Sequence, residues 1–276
     1  MIASIFKYAF LQNALIACIL SSIACGIIGT VIMEKKLVMM SGGIAHASFG
    51  GIGLGFLLGV EPIFTALLFS VGTSLSISEI NKRSKTNPDL LTGIFWSVGM
   101  ALGILFISLT PGYPPDMSSY LFGDILTVSR NDLITMIALD IVIIFLIFAG
   151  FNMLKAYMFD REFASVLRLP VNFLDYMVYI LIALTVVVLI RVAGIILVIA
   201  LLTAPPATAR LFSYNLKNIM LISILTGLVL CLTGLFISYS YNIPSGAVIV
   251  LVSGAAYLVS ALIKRLINKI RLSSAV

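Results

Sequence analysis

Read from the N-terminus, the chain is a succession of long apolar runs separated by short polar breaks. Runs close to the roughly 20 residues that cross a hydrocarbon core fall at 10–33, 37–59, 62–80, 90–110, 132–154, 174–191, 194–212, 218–240 and 245–263. Only helices or closed barrels satisfy their backbone inside lipid, and runs of this length are helical. The pattern therefore predicts an all-α integral membrane protein with about nine transmembrane helices. The longest polar stretches, around 81–89, 112–132 and 155–170, are too short for a separately folded domain. Residues 1–276 are expected to form a single transmembrane domain. The first run lacks the basic leader and small-residue cleavage site of a removable signal, so it is expected to be a permanent span.

Composition agrees: 61% of the residues are hydrophobic, 10% are charged, and the mean hydropathy is +1.18. These values exclude a soluble catalytic domain. The net charge of +6 is not a nucleic-acid signal, because the basic residues are scattered over short loops without interleaved aromatics. Their placement is topological instead. Sorted by loop parity, all of the 17 Lys and Arg except Lys7, Arg130 and Arg191 fall on one side, which makes that side, and the C-terminus, cytoplasmic and the N-terminus outside. Two spans must then meet in a tight turn at Arg191-Val192-Ala193-Gly194, since one bent helix there would break the parity. Cys18, Cys25 and Cys231 lie inside apolar runs, without the spacing of a disulfide framework or a zinc site.

Against this apolar background the polar residues stand out. His46, the only histidine, lies near the middle of the second span, with Gly42, Gly50 and Gly53 on its helical face. Two readings stay open: a ligand or gate on a substrate path, since imidazole binds transition metals, or a packing histidine bonded to a neighbouring carbonyl. Asp140 is the other deep charge, within the fifth span, while Asp132, Asp124 and Asp116 stand at or above its outer end. Carboxylates there would draw cations inward, and Asp132 could equally favour a helix N-terminus. Glu61 and Glu79, at the ends of the third span, read as solvated. Pro205-Pro206 remove two backbone donors and predict a break or kink in the seventh span, either a moving element or a static one. The segment 159–170 reads as a short helix capped by Asp160 and limited by Pro170, with Phe163, Val166 and Leu167 on one face. It suits docking of a partner or lying on the headgroups. No Lys follows a Gly, so a phosphate-binding loop is missing. No His, Cys or carboxylate cluster suggests an intramembrane enzyme.

Taken together, 41–55 with His46, Tyr120-Leu121-Phe122-Gly123-Asp124-Ile125-Leu126, the 159–170 segment, 204–210 and 243–251 resemble the permease subunits of bacterial ABC importers for zinc, manganese or iron. The resemblance covers nearly the whole chain. It implies the large, many-span importer architecture, a multi-pass cell-membrane location and a permease homodimer. It further implies cytoplasmic ATPase subunits docked on a coupling helix that includes Asp160, Glu162, Phe163, Val166 and Leu167, and an extracytoplasmic metal-binding protein on the outer face. The cargo would be a divalent ion, with no permanently bound cofactor, and His46, Asp140, Asp124 and Asp132 would be its candidate ligands. Gly42, Gly50, Gly53, Pro205 and Pro206 would line or gate the path. Gly42 stands where many members carry an Asp, and Arg168 where a Gly is common. A gradient-driven secondary metal-ion transporter is the alternative, weakened by the lack of a visible inverted repeat.

Overall fold

The structure, a computed structural model, describes residues 8–84, 87–112 and 118–273. Lys7, Lys85 and Asp116 lie outside them. Its elements are α1 (Ala9–Glu34), α2 (Val38–Leu58), α3 (Pro62–Ser84), α4 (Pro88–Ser108), α5 (Ser118–Phe122), a 3-10 turn (Ile125–Thr127), α6 (Arg130–Ala149), α7 (Phe151–Phe159), α8 (Arg161–Val166), α9 (Val171–Phe212), α10 (Leu216–Tyr241) and α11 (Ser245–Ser273). Eight of these are long and apolar enough to cross a membrane.

Local chemistry sets where the helices start and stop. Asn87 caps α4 by accepting from the Asp89 N–H, and Pro88 begins the helix, where its missing donor costs nothing. Ser129 and Asp132 form a capping box at the start of α6, each side chain accepting from the other's backbone N–H. Left-handed residues close α1 at Lys36, α2 at Gly59 and α10 at Asn242. Most connectors are accordingly short, the stretch from α4 to α6 with α5 and the 3-10 turn being longer, and consecutive long helices run in opposite directions.

The 42-residue α9 decides the topology. As one straight helix it would be about 63 Å long, twice the apolar thickness of a bilayer. Asp175, near its start, accepts a hydrogen bond from Tyr157, whose ring lies under the Lys35 ammonium at 3.7 Å. Arg210, at its other end, pairs with Glu34 at 3.1 Å. Glu34 and Lys35 are chain neighbours, so both ends of α9 lie at the same end of the bundle. The reversal occurs at Gly194 (φ 73°, ψ 161°), the single residue of α9 with non-helical dihedrals. Two antiparallel halves result, α9a (171–193) and α9b (195–212), and with them nine passages among the described residues.

Charge follows this topology. Lys35, Lys82, Arg161 and Arg210 gather around Glu34 and Asp175 at what is here called the basic end. At the opposite end Arg191 binds Glu61 and Asp132. Glu61 and Glu79, expected to be solvated, are partly exposed and paired as well: Glu79 accepts from Arg83 at 2.7 Å and from the Tyr176 hydroxyl at 2.8 Å.

Two expectations need correction. The fifth span ends at Ala149, and residues 151–159 form the separate α7, which buries Leu154 and Tyr157. Gly150 separates the two helices. The Pro205-Pro206 pair does not break α9b, whose dihedrals stay helical throughout. The carbonyl of Leu202, which would have accepted from the Pro206 nitrogen, lies against Gly29 of α1, as does the Pro206 ring. A glycine on the neighbouring helix thus makes room for the freed carbonyl and the ring, so the helix continues.

The turn at Gly194 presses on Phe122 and Gly123, and only glycine adopts its dihedrals without strain. Gly194→Ala should cost about 1–3 kcal/mol, read as a lower unfolding midpoint of the detergent-solubilised protein. Gly72→Ala, whose new methyl meets nothing within 4 Å, should not lower it.

Candidate functional site

His46 sits on α2, a helix so rich in small residues that α4 lies against its backbone. A methyl group at Gly50 would come within 2.9 Å of the Gly99 carbonyl and of the Phe69 ring, and one at Gly53 would strike Gly103. These two glycines form a packing seam between α2 and its neighbours, the use that membrane helices make of small residues. Gly42 differs, since its nearest neighbour is the tip of Ile199 at 3.9 Å.

This close approach brings Trp96 of α4 over His46. The rings stack with centroids 4.1 Å apart and planes 8° from parallel. The imidazole is half-buried, and its Nδ1 is enclosed without a hydrogen-bond partner. Packing against the indole, rather than a carbonyl, holds the ring. Nothing in the spacing of the chain announces the pair, and the one available signal is that Trp96 is the only tryptophan.

Asp140 is 4% exposed, belongs to the helix that packs against α1, and leaves Oδ2 without a hydrogen bond. Asp124 and Asp132 are engaged elsewhere. Asp124 Oδ1 accepts from the Leu126 N–H at 3.1 Å and the Ser245 hydroxyl at 2.8 Å, tying the 3-10 turn to α11. Asp132 combines its capping role with an ion pair to Arg191 at 2.8 Å, and Arg191 reaches Glu61 at 2.6 Å. Arg191 thereby clasps α9a to the α2–α3 connector and α6. It also lines, with Tyr120, Phe122, Asp124, Tyr239 and Pro244, a cleft of about 1010 Å³ at this end. Among the described residues no three His, Cys, Asp or Glu side chains converge as a metal site. No three of His46, Asp140, Asp124 and Asp132 therefore meet within this chain.

At the basic end α8 is built as expected, although it spans only six residues. Asp160 caps it, accepting from the N–H groups of Glu162 and Phe163 at 2.8 and 3.1 Å. Ala164 is its buried contact, while Phe163, Leu167 and above all Val166, 78% exposed, point away from the bundle. Phe163 continues into a cleft of about 680 Å³ with Phe159, Lys155 and Tyr214. Asp175, 5% exposed, is the residue missed by sequence reasoning here. Its carboxylate accepts from the Tyr157 hydroxyl and from Arg161 at 2.7 Å, and Lys82 lies 3.4 Å away. Burial, and next the hydrogen bond to Asp175, push the Tyr157 hydroxyl well above the usual phenol range. Burial lowers the Lys35 ammonium from its ordinary value.

Because His46 is the only histidine, its stacking can be read directly. Trp96→Leu removes an aromatic contact of about 0.5–1.5 kcal/mol. Modification of His46 by diethyl pyrocarbonate, followed by mass spectrometry, should quicken about two- to tenfold.

The comparisons with known proteins agree with this architecture. The pattern of the ABC 3 transport family matches residues 7–264. The chain is 42% identical to an uncharacterized membrane protein of Synechocystis over 94% of its own length and 92% of that protein's. It is 35% identical to the manganese import system permease protein ScaB of Streptococcus gordonii, over 94% and 93% of the two chains. PsaBC from Streptococcus pneumoniae, solved in complex with a Fab, superposes with a TM-score of 0.84 at 34% identity, covering 94% of this chain and 95% of the other. Sequence and fold coincide over nearly the full length, and the chain belongs to the ABC 3 transport family.

Proposed function

We propose that this chain is the membrane-spanning permease subunit of an ATP-binding-cassette importer that moves a divalent transition-metal ion into the cell. The observation that carries the reading is similarity over nearly the whole chain, at 35% identity to a manganese import system permease protein and with the helix arrangement of PsaBC. The geometry suits it. A capped helix at the basic end offers Phe163, Val166 and Leu167 outward, in the form an ATPase surface groove would take. No phosphate-binding loop occurs in the chain, so hydrolysis belongs to a partner.

On this reading the basic end faces the cytoplasm, in line with the distribution of Lys and Arg. The opposite end, with its cleft around Arg191 and Asp124, receives an extracytoplasmic metal-binding protein. Two permease copies form the pore, and the ion passes between them as cargo rather than as a resident cofactor. His46 is the one imidazole able to touch the ion, and Trp96 keeps its ring in place. A site with few ligands from each copy fits transit, because an ion held by a full coordination shell leaves slowly. Manganese, zinc and iron(II) all accept imidazole and carboxylate, with manganese favouring the oxygen donors.

Reconstituted with its ATPase and binding protein in proteoliposomes, the permease should take up manganese(II) only with ATP, and competition with zinc and iron(II) ranks the ions. His46→Ala should leave the subunits co-purifying and reduce uptake by about tenfold or more, the scale of losing a tuning group around a metal. Uptake by the permease alone, driven by a proton or sodium gradient, would replace this reading with a secondary carrier.

A further inference from the structure

We infer that Asp175 is the positioning residue through which displacement of α8 reaches the transmembrane helices. The inference rests on the transport reading above, in which partner ATPases push and pull α8.

The six-residue α8 hangs between Asp160 and the Leu167–Pro170 connector, with Ala164 as its buried contact. Its first residue, Arg161, makes the strong bond to the bundle: Nη2 lies 2.7 Å from Asp175 Oδ2. Asp175 belongs to α9a, so this bond links α8 directly to a passage that runs to the clasp at Arg191. The same carboxylate holds two further elements. Lys82, in the last turn of α3, approaches Oδ2 at 3.4 Å and also lies 3.9 Å from the centroid of the Tyr176 ring. Tyr157, at the end of α7, donates its hydroxyl to Oδ1. Tyr157 in turn carries Lys35, whose ammonium lies over its ring and 3.5 Å from its carbonyl oxygen. Lys35 stands at the joint between α1 and α2, and α2 carries His46.

One buried carboxylate therefore connects α8, α9a, α3 and α7, and through Tyr157 the α1–α2 joint. Charge-assisted hydrogen bonds are short and directional, and they strengthen where water is excluded. A shift of Arg161 must drag the carboxylate or break the bond, and breaking it would leave Asp175 buried with its charge partly unmatched. Networks of this kind carry coupling between separated sites when their elements have alternative arrangements. The Glu34–Arg210 pair at this end joins α1 to α9b, and the Glu79–Arg83 pair lies within α3, so neither includes α8.

The test measures ATP hydrolysis and manganese(II) uptake in the same proteoliposomes, with the whole complex of permease, ATPase and binding protein. Asp175→Asn keeps the size and an acceptor oxygen but removes the charge. Expected are normal co-purification, ATP hydrolysis within about twofold of wild type, and about tenfold fewer ions moved per ATP. Combining it with Arg161→Gln should lose no more than the worse single variant, because both break one bond. An unchanged ratio of ions to ATP in Asp175→Asn, or a loss of uptake accounted for by lost co-purification, overturns the inference and reduces Asp175 to a structural role. Should Asp175→Asn fail to fold, Tyr157→Phe, which deletes one hydrogen bond and no charge, must lower the ratio about threefold, and an unchanged ratio there overturns it too. A wild-type complex without ATP-driven uptake removes the transport reading itself, and the inference falls with it.

Discussion

The contact between the chain at Phe122–Gly123 and the turn at Gly194 is where the two halves of α9 separate. Because Gly194 reverses the chain with a single residue, α9a and α9b lie side by side, and every later helix takes its direction from that reversal. The turn needs a backbone that can approach another backbone without side chains between them, and glycines at both positions supply it. The Asp124–Ser245 hydrogen bond fastens the same loop to α11. A left-handed glycine turn, a close glycine contact and one capping carboxylate thus hold the end of the bundle where several helices meet.

Charge is concentrated at the two ends, and at each end one residue of α9a gathers it. Arg191 binds Glu61 of the α2–α3 connector and Asp132 of α6, and Asp175 binds Arg161, Tyr157 and Lys82. The same passage is pinned at both termini to different neighbours. Exposed pairs of this kind contribute little to stability, whereas the buried Asp175 is costly to leave unmatched.

Between the ends the helices are packed by small residues rather than by polar bonds. The α2–α4 seam brings Trp96 onto His46, so the only imidazole in the spans is oriented by dispersion and ring stacking. Asp140 lies apart beside α1, and Asp124 and Asp132 serve the capping of helices. The chain therefore presents His46 without two further His, Cys, Asp or Glu side chains around it among the described residues.

The nine passages, their alternation and the side on which basic residues gather are legible in the sequence, because transfer into lipid depends on each run by itself and loop charge on each loop by itself. Even the turn near Gly194 follows from the parity of Lys and Arg. The Asp160 cap of α8 is equally local. The continuation of α9b through Pro205 and Pro206 is not legible, since it depends on Gly29 of another helix receiving the freed carbonyl. Nor are the His46–Trp96 stack, the Arg191 clasp and the Asp175 junction. Each joins residues on different helices, and their meeting is set by how closely small side chains let those helices pack. Local free energies of insertion and capping are written along the chain, whereas the partners of a buried polar group exist only once the passages have come together.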